Sequence, residues 1–293
     1  MYKTVIYKLE GVLLDDAILQ FKYYELLWFY LRRQEAYREF ESVLREREKL
    51  ARTHKVSRPY LTIARQHLSR SDFERYQQEV NILSRRYYHY FVRLIPGMKE
   101  VVRVSGYYYQ NVLFAQQPFF LEVALRRYSL RLYFRQAQAG FRTSDPSTLE
   151  AILNKILEKT RTPARQAILI SNSQIPEIAV ANRMGLFTIQ TRFRASSMGL
   201  SFREYRQKLY LKSLEKFPEG LPAPGLFQRL SARPGAVVHS PEELAQKLQE
   251  LASKPQTAEP TPTQPESETK ERPKTIWELI KEALEEELAD EKV

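Results

Sequence analysis

The apolar positions of the chain follow two regimes. From Thr4 onward, Val5-Ile6-Tyr7, Leu9 and Val12-Leu13-Leu14 read as one buried strand, Thr4 to Leu14, with a turn at Gly11. Asp15-Asp16 then signals a helix start. Between Ala17 and Val92 the period changes. Apolar and aromatic residues recur at three- and four-residue steps, as in Tyr23, Leu26, Leu27, Tyr30 and Leu31. Gly is absent there and Pro59 is the only Pro, so the pattern predicts several helices packed as a bundle.

Beyond Pro96-Gly97 the pattern alternates. It predicts a short helix over Met98–Val104, a strand over Tyr107–Ala115, a helix over Pro118–Tyr128 and a strand over Leu130–Phe134. Asp145-Pro146-Ser147 caps a helix running to Lys159. Ala167-Ile168-Leu169-Ile170 is a continuous apolar run, as expected of a parallel strand covered on both faces. A helix over Ile175–Arg183 stops at Gly185, and Leu186–Ile189 is the next strand. Residues 192–233 are basic and hold several prolines, which reads as an inserted excursion. Ala236–Val238 and a helix from Ser240-Pro241 to about Ala252 close the series. Alternating strands and helices from residue 98 onward predict an α/β fold with a parallel sheet.

The last segment differs. Residues 253–273, rich in Pro, Thr, Glu and Gln, lack apolar surface to bury and are expected to be a disordered linker. Residues 274–293 are expected to form an acidic amphipathic helix. Ile276, Trp277, Ile280, Leu284 and Leu288 make its apolar stripe, and Thr275 precedes Glu278 at capping-box spacing. A short helix of this kind has nothing to bury against within the linker, so the stripe is the candidate partner-binding surface.

Charge sharpens the division. The formal net charge is +11. Residues 255–293 hold 5 Lys/Arg against 11 Asp/Glu, a net of −6, which leaves +17 for residues 1–254. A basic body with an acidic tail suggests an acidic partner, the tail folding back, or solubility alone. Arg and Tyr are interleaved through residues 15–92. That composition suits a protein partner, nucleic acid, or helix interfaces in which Tyr packs while Arg pairs with Glu39, Glu41, Glu46 and Glu48. There is no Cys, and the four His residues lack H-x-x-x-H spacing, so no His- or thiolate-based metal site is expected. The N-terminus lacks the apolar run of a signal peptide and no spanning segment occurs, so the expected location is cytoplasmic.

Four places resemble the haloacid-dehalogenase superfamily with a helical cap inserted after the first strand. Lys8-Leu9-Glu10-Gly11-Val12-Leu13 stands where that family has D-x-D-G-T-L. Ile95-Pro96-Gly97-Met98-Lys99-Glu100-Val101 resembles its P-G-x-x-x-x-L. Ser171-Asn172-Ser173 and Ala181-Asn182-Arg183-Met184-Gly185-Leu186 stand where it has G-D-S and A-x-x-A-G-M. Pro234 to Leu244 is similar to its closing strand and helix. The resemblance implies an α/β core of residues 1–14 and 93–252 and a helical cap of residues 15–92.

It also implies a site. In that family the first Asp is nucleophile and Mg²⁺ ligand, the second is general acid, a Ser or Thr and a Lys hold the phosphoryl group, and later carboxylates complete the metal site. Here those positions fall on Lys8, Glu10, Ala115, Arg142 (or Thr143), Asn172, and Glu177 or Pro176 with a one-residue shift. An ammonium cannot ligate Mg²⁺ or form an acyl phosphate, Ala115 has no hydroxyl, and Asn172 is neutral. Lys8 either pairs with Glu10 and Glu177 in place of the metal or points to solvent. The expectation is a catalytically degenerate protein that binds an unidentified protein partner, with no cofactor. Mg²⁺ enters only if the alternative, a hydrolase with a divergent site, holds; a second alternative is nucleic-acid binding. Asp15-Asp16, a tempting carboxylate pair, is read as a helix cap.

Overall fold

The computed structural model describes residues 1–53, 58–140, 146–193, 205–216 and 232–253. All of them belong to one compact unit, Met1–Pro255. The linker expected over 253–273 lies, beyond Ser253, outside the described residues. So does the 274–293 helix with Ile276, Trp277, Ile280, Leu284 and Leu288.

Strand β1 (Thr4–Lys8) lies at the centre of the sheet, and all five of its residues are buried. It pairs in parallel with β4 (Gln110–Ala115) on one side and β6 (Ala167–Ser171) on the other. The edges are completed by β5 (Gln136–Ala139) beyond β4, and by β7 (Phe187–Thr191) and β8 (Ala236–Val238) beyond β6. All six strands are parallel, in the order β5-β4-β1-β6-β7-β8. Period-two alternation divides the core between the faces. Ile6, Val112, Phe114 and Leu169 pack against α8 (Pro146–Thr160) and α9 (Ala179–Arg183). Val5, Tyr7, Leu113, Ile168 and Ile170 join a cluster containing α6 (Met98–Ser105), α7 (Pro118–Arg127) and α11 (Pro241–Ser253). Full burial of each such aliphatic side chain contributes about 1.5–3 kcal/mol, so the sheet supplies the rigid floor on which a site can stand.

Between β1 and α6 the chain leaves the sheet through a two-stranded antiparallel ribbon, β2 (Leu14–Asp15) with β3 (Arg93–Leu94). The ribbon carries the helices α1 (Ala17–Leu31), α2 (Phe40–Thr53), α3 (Pro59–His67), α4 (Arg70–Arg85) and α5 (Tyr88–Phe91). A helix from much later in the chain, α10 (Tyr205–Lys216), returns to pack on α1 and α2. Arg47 on α2 is fully buried there and donates to the Ser213 backbone oxygen (3.1 Å) and Oγ (3.0 Å). Its guanidinium stands 5.9 Å from the Tyr24 ring and 5.6 Å from the Tyr210 ring.

Several boundaries depart from the sequence reading. The first strand stops at Lys8 rather than Leu14, because Gly11 takes a left-handed conformation (φ +75°) and Leu14 N–H folds back onto the Leu9 carbonyl. Leu130–Tyr133 is a 3₁₀ turn, not a strand. The strand is the following Gln136–Ala139, whose alternating Gln and Ala suit a half-buried edge. Tyr107–Tyr109 belong to a turn, and β4 begins only at Gln110. Residues 192–233 contain a helix that the proline content concealed.

Candidate functional site

The C-terminal ends of β1, β4 and β6 meet below the inserted helices, and a cavity of about 930 Å³ lies between them. In open parallel sheets this end, where successive connections leave in opposite directions, is where ligands bind. From the sheet side the cavity is lined by Lys8, Glu10, Gly11, Gln116, Gln117 and Asn172. From the helices it is lined by Tyr23, Arg58, Tyr60, Gln77, Asn81 and Arg85.

Lys8 is the last residue of β1. Its parity on the strand matches that of Ile6, so its side chain is directed to the face that carries α9. There its Nζ donates to Glu177 Oε1 at 2.8 Å, and the two side chains are 5% and 0% exposed. Glu177 lies in a π-helical turn, Gln174–Ile178, that leads into α9 in place of the regular helix start expected at Ile175. A π turn holds one residue more than an α turn. From this turn Glu177 meets Lys8. The second carboxylate oxygen, Oε2, is buried without a hydrogen-bond partner among the described residues. Such a group is held by its one ion pair, and removing Lys8 would leave it uncompensated.

Glu10 follows in the turn. Its carboxylate accepts the backbone N–H of Gln116, at 3.0 Å to Oε1 and 3.3 Å to Oε2. Burial pushes its pKa up to about 7, against the lowering effects of the Lys8 charge and the Gln116 N–H; Asp16 adds to the rise. The extra methylene of Glu over Asp gives it the reach to the end of β4. That end carries Ala115, fully buried and without a hydroxyl. Asn172, just past β6, is exposed and packs its amide over Gly11, where any Cβ would collide with it. Arg142 and Thr143 lie outside the described residues. Asp16 is the N-cap residue of α1 but makes no side-chain cap hydrogen bond; Asp15, one residue earlier, accepts the Ala17 N–H at 2.9 Å, and burial raises its pKa to about 6. Asp16 accepts from Gln20 Nε2 at 2.9 Å and lines the cavity.

These donors do not fit Mg²⁺, which requires hard oxygen ligands in an octahedral array. At the positions that would provide them stand an ammonium and an exposed carboxamide, and Glu177 is committed to the ammonium. Among the described residues no group of three or more His, Cys, Asp or Glu could hold a metal ion. What the arrangement offers instead is a buried ion pair beside a carboxyl that titrates near neutrality, at the floor of a polar cavity.

The sequence reading brought Lys8, Glu10, Ala115, Asn172 and Glu177 together at one sheet end, where the structure places them. It missed Gln116, which acts through its backbone, and it missed which of the many Arg and Tyr residues of the helices face the cavity. Arg58, Arg85, Tyr23 and Tyr60 had no signal separating them from their neighbours.

No family model matches the sequence, and no curated protein matches it. Solved structures do. A Thermotoga maritima protein named for beta-phosphoglucomutase is 19% identical, with 85% of this chain and 99% of that one covered and a TM-score of 0.56. A hydrolase of the haloacid dehalogenase-like family from Streptococcus pneumoniae is 11% identical, over 84% and 98% of the two chains, with a TM-score of 0.54. A HAD family hydrolase from Deinococcus radiodurans, solved with bound phosphate and sodium, is 15% identical, over 85% and 96%, with a TM-score of 0.53. The fold is therefore haloacid-dehalogenase-like. Among the described residues no helix is long and apolar enough to cross a membrane.

Proposed function

We propose that this chain is a haloacid-dehalogenase-like protein that has given up phosphoryl transfer and works by binding, as a protein-binding or scaffolding module of the cytoplasm. The observation that carries the reading is the Lys8–Glu177 pair, 2.8 Å apart and out of water. It supports the reading in two ways. A charged ammonium has no lone pair for phosphorus or metal, and a cation fixed at this point repels a divalent one. Moving Lys8 aside would leave a buried carboxylate uncompensated, at about 3–5 kcal/mol. Glu10 adds to this by occupying the Gln116 N–H, so an incoming anion would compete with an internal carboxylate. Residues 274–293 are the tethered interaction motif of the proposal, with Trp277 as the aromatic anchor among Ile276, Ile280, Leu284 and Leu288.

A second reading, a hydrolase with a divergent site, draws on one observation. Glu10 titrates near pH 7 in a cavity of ligand size, as a general acid or base would. Calorimetric titration with Mg²⁺ separates the two. The native chain is expected to bind no Mg²⁺, while Lys8→Asp combined with Asn172→Asp is expected to gain affinity. Mg²⁺ binding by the native chain, lost in Glu10→Ala, would favour the hydrolase.

A further inference from the structure

The charges around the cavity are segregated. The turn after β1 contributes the carboxyl of Glu10 and the N-cap of α1 that of Asp16, while the start of α3 and the end of α4 contribute the guanidinium groups of Arg58 and Arg85. Lys8 also reaches the cavity, but its ammonium is taken up by Glu177. The charges that act on Glu10 are those of Lys8 and Asp16. Neither Arg58 nor Arg85 makes an ion pair among the described residues, in contrast to Arg70, Arg103, Arg126 and Arg183, each of which pairs with a Glu. The carboxamides of Gln77, Asn81 and Gln116 and the rings of Tyr23 and Tyr60 also line the cavity. Each carboxamide both donates and accepts, so it matches a ligand that does the same.

This distribution discriminates among ligands. A purely anionic molecule meets Glu10 and Asp16, and a purely cationic one meets the two guanidinium groups. A molecule with opposite charges at its two ends satisfies both sets of charges, and carboxamides suit an amide group between its ends. The volume, about 930 Å³, lies at the upper end of ordinary small-ligand sites. We propose that the cavity binds a small zwitterion, an amino acid or short peptide with free termini, its ammonium toward Glu10 and Asp16 and its carboxylate toward Arg58 and Arg85. This rests on the reading above, in which Lys8 and Glu177 fill the floor and no metal or phosphoryl group competes there.

Titration calorimetry on the full chain tests it with the tripeptide Gly-Phe-Gly, its N-acetyl form and its C-terminal amide, at pH 8 and low salt. The free tripeptide is expected to bind, and each blocked form to bind at least tenfold more weakly. Glu10→Gln should weaken the free tripeptide and leave the N-acetyl form unaffected; Arg85→Gln should weaken the free tripeptide and leave the amide unaffected. Because Glu10 must be ionised, affinity for the free tripeptide should fall between pH 8 and pH 6. Equal binding of all three forms, or no binding of the free tripeptide at millimolar concentration, overturns the inference. A parallel assay with an aryl phosphate and Mg²⁺ keeps the two conclusions apart. Turnover refutes the proposed function, whereas absent turnover with absent tripeptide binding refutes only the ligand.

Discussion

Lys8 and Glu177 are 169 residues apart in the chain and 2.8 Å apart in the fold. The first ends the central strand and the second sits in the π turn that directly follows the neighbouring strand β6, so only the completed parallel sheet brings them together. Their burial makes the pair a constraint on both stability and chemistry. Lys8→Met is expected to destabilise the chain by about 3–5 kcal/mol in urea unfolding, because Glu177 is left charged and buried. Lys8→Met combined with Glu177→Leu should recover most of that loss, since an apolar pair of similar volume removes both desolvation costs. A single substitution costing under about 1 kcal/mol would show that the pair is not held as described.

Stability should fall as pH rises from about 5 to about 8. In the unfolded chain Glu10 and Asp15 ionise at ordinary carboxylate values, whereas folding raises them to about 7 and about 6. A carboxyl raised by folding contributes stability below its unfolded pKa that is lost as pH climbs through the folded value. Glu10→Gln, which keeps an acceptor for the Gln116 N–H, should reduce that slope and recover about 2 kcal/mol at pH 8 relative to pH 5. Urea midpoints measured across this range check it, and an unchanged slope in the variant would contradict the raised pKa.

Gly11 should not tolerate a side chain. Its φ of +75° strains any L residue, and a Cβ would strike the Asn172 amide. Gly11→Ala is expected to cost about 1–3 kcal/mol. Adding Asn172→Ala should recover only the collision, leaving the backbone strain. Thermal unfolding of the two variants separates the contributions.

The fold was largely legible because its central strands are continuous apolar runs. Ala167–Ile170 needs both faces covered, and a parallel sheet is what covers them. β5 was not legible, since Gln136–Ala139 is an edge with half-buried, mostly polar positions and its neighbour Leu130–Phe134 looks more strand-like. At the site, Lys8, Glu10 and Asn172 could be placed by their order along the chain. The partner of Glu10 is a backbone N–H, which carries no residue signature, and the π turn from which Glu177 meets Lys8 is not announced by periodicity. Arg47 looked like one more surface cation among many, yet it is fully buried, because its partner arrives from α10, 166 residues later.

Arg47→Leu should therefore loosen α10 rather than the sheet. Loss of the contacts to Ser213 is expected to cost about 2–4 kcal/mol locally. Hydrogen exchange should rise in Tyr205–Lys216 and in the facing parts of α1 and α2, with β1 and β6 unchanged. Uniform loss of protection across the sheet would show that the helix is not a separate layer.

The proposed tail motif predicts a partner profile. Removing residues 254–293 should abolish capture of protein partners, and that capture should change little between low and moderate salt because it rests on apolar contacts around Trp277. Nucleic-acid binding by the basic body would instead survive the truncation and weaken steeply with salt.

The central claim, that the internal ion pair has replaced phosphoryl transfer, is tested most directly by steady-state hydrolysis of an aryl phosphate by the full chain in saturating Mg²⁺. The account predicts no release of phenol above the buffer rate, in the native chain and in Glu10→Ala alike. Turnover by the native chain that Glu10→Ala abolishes would contradict it.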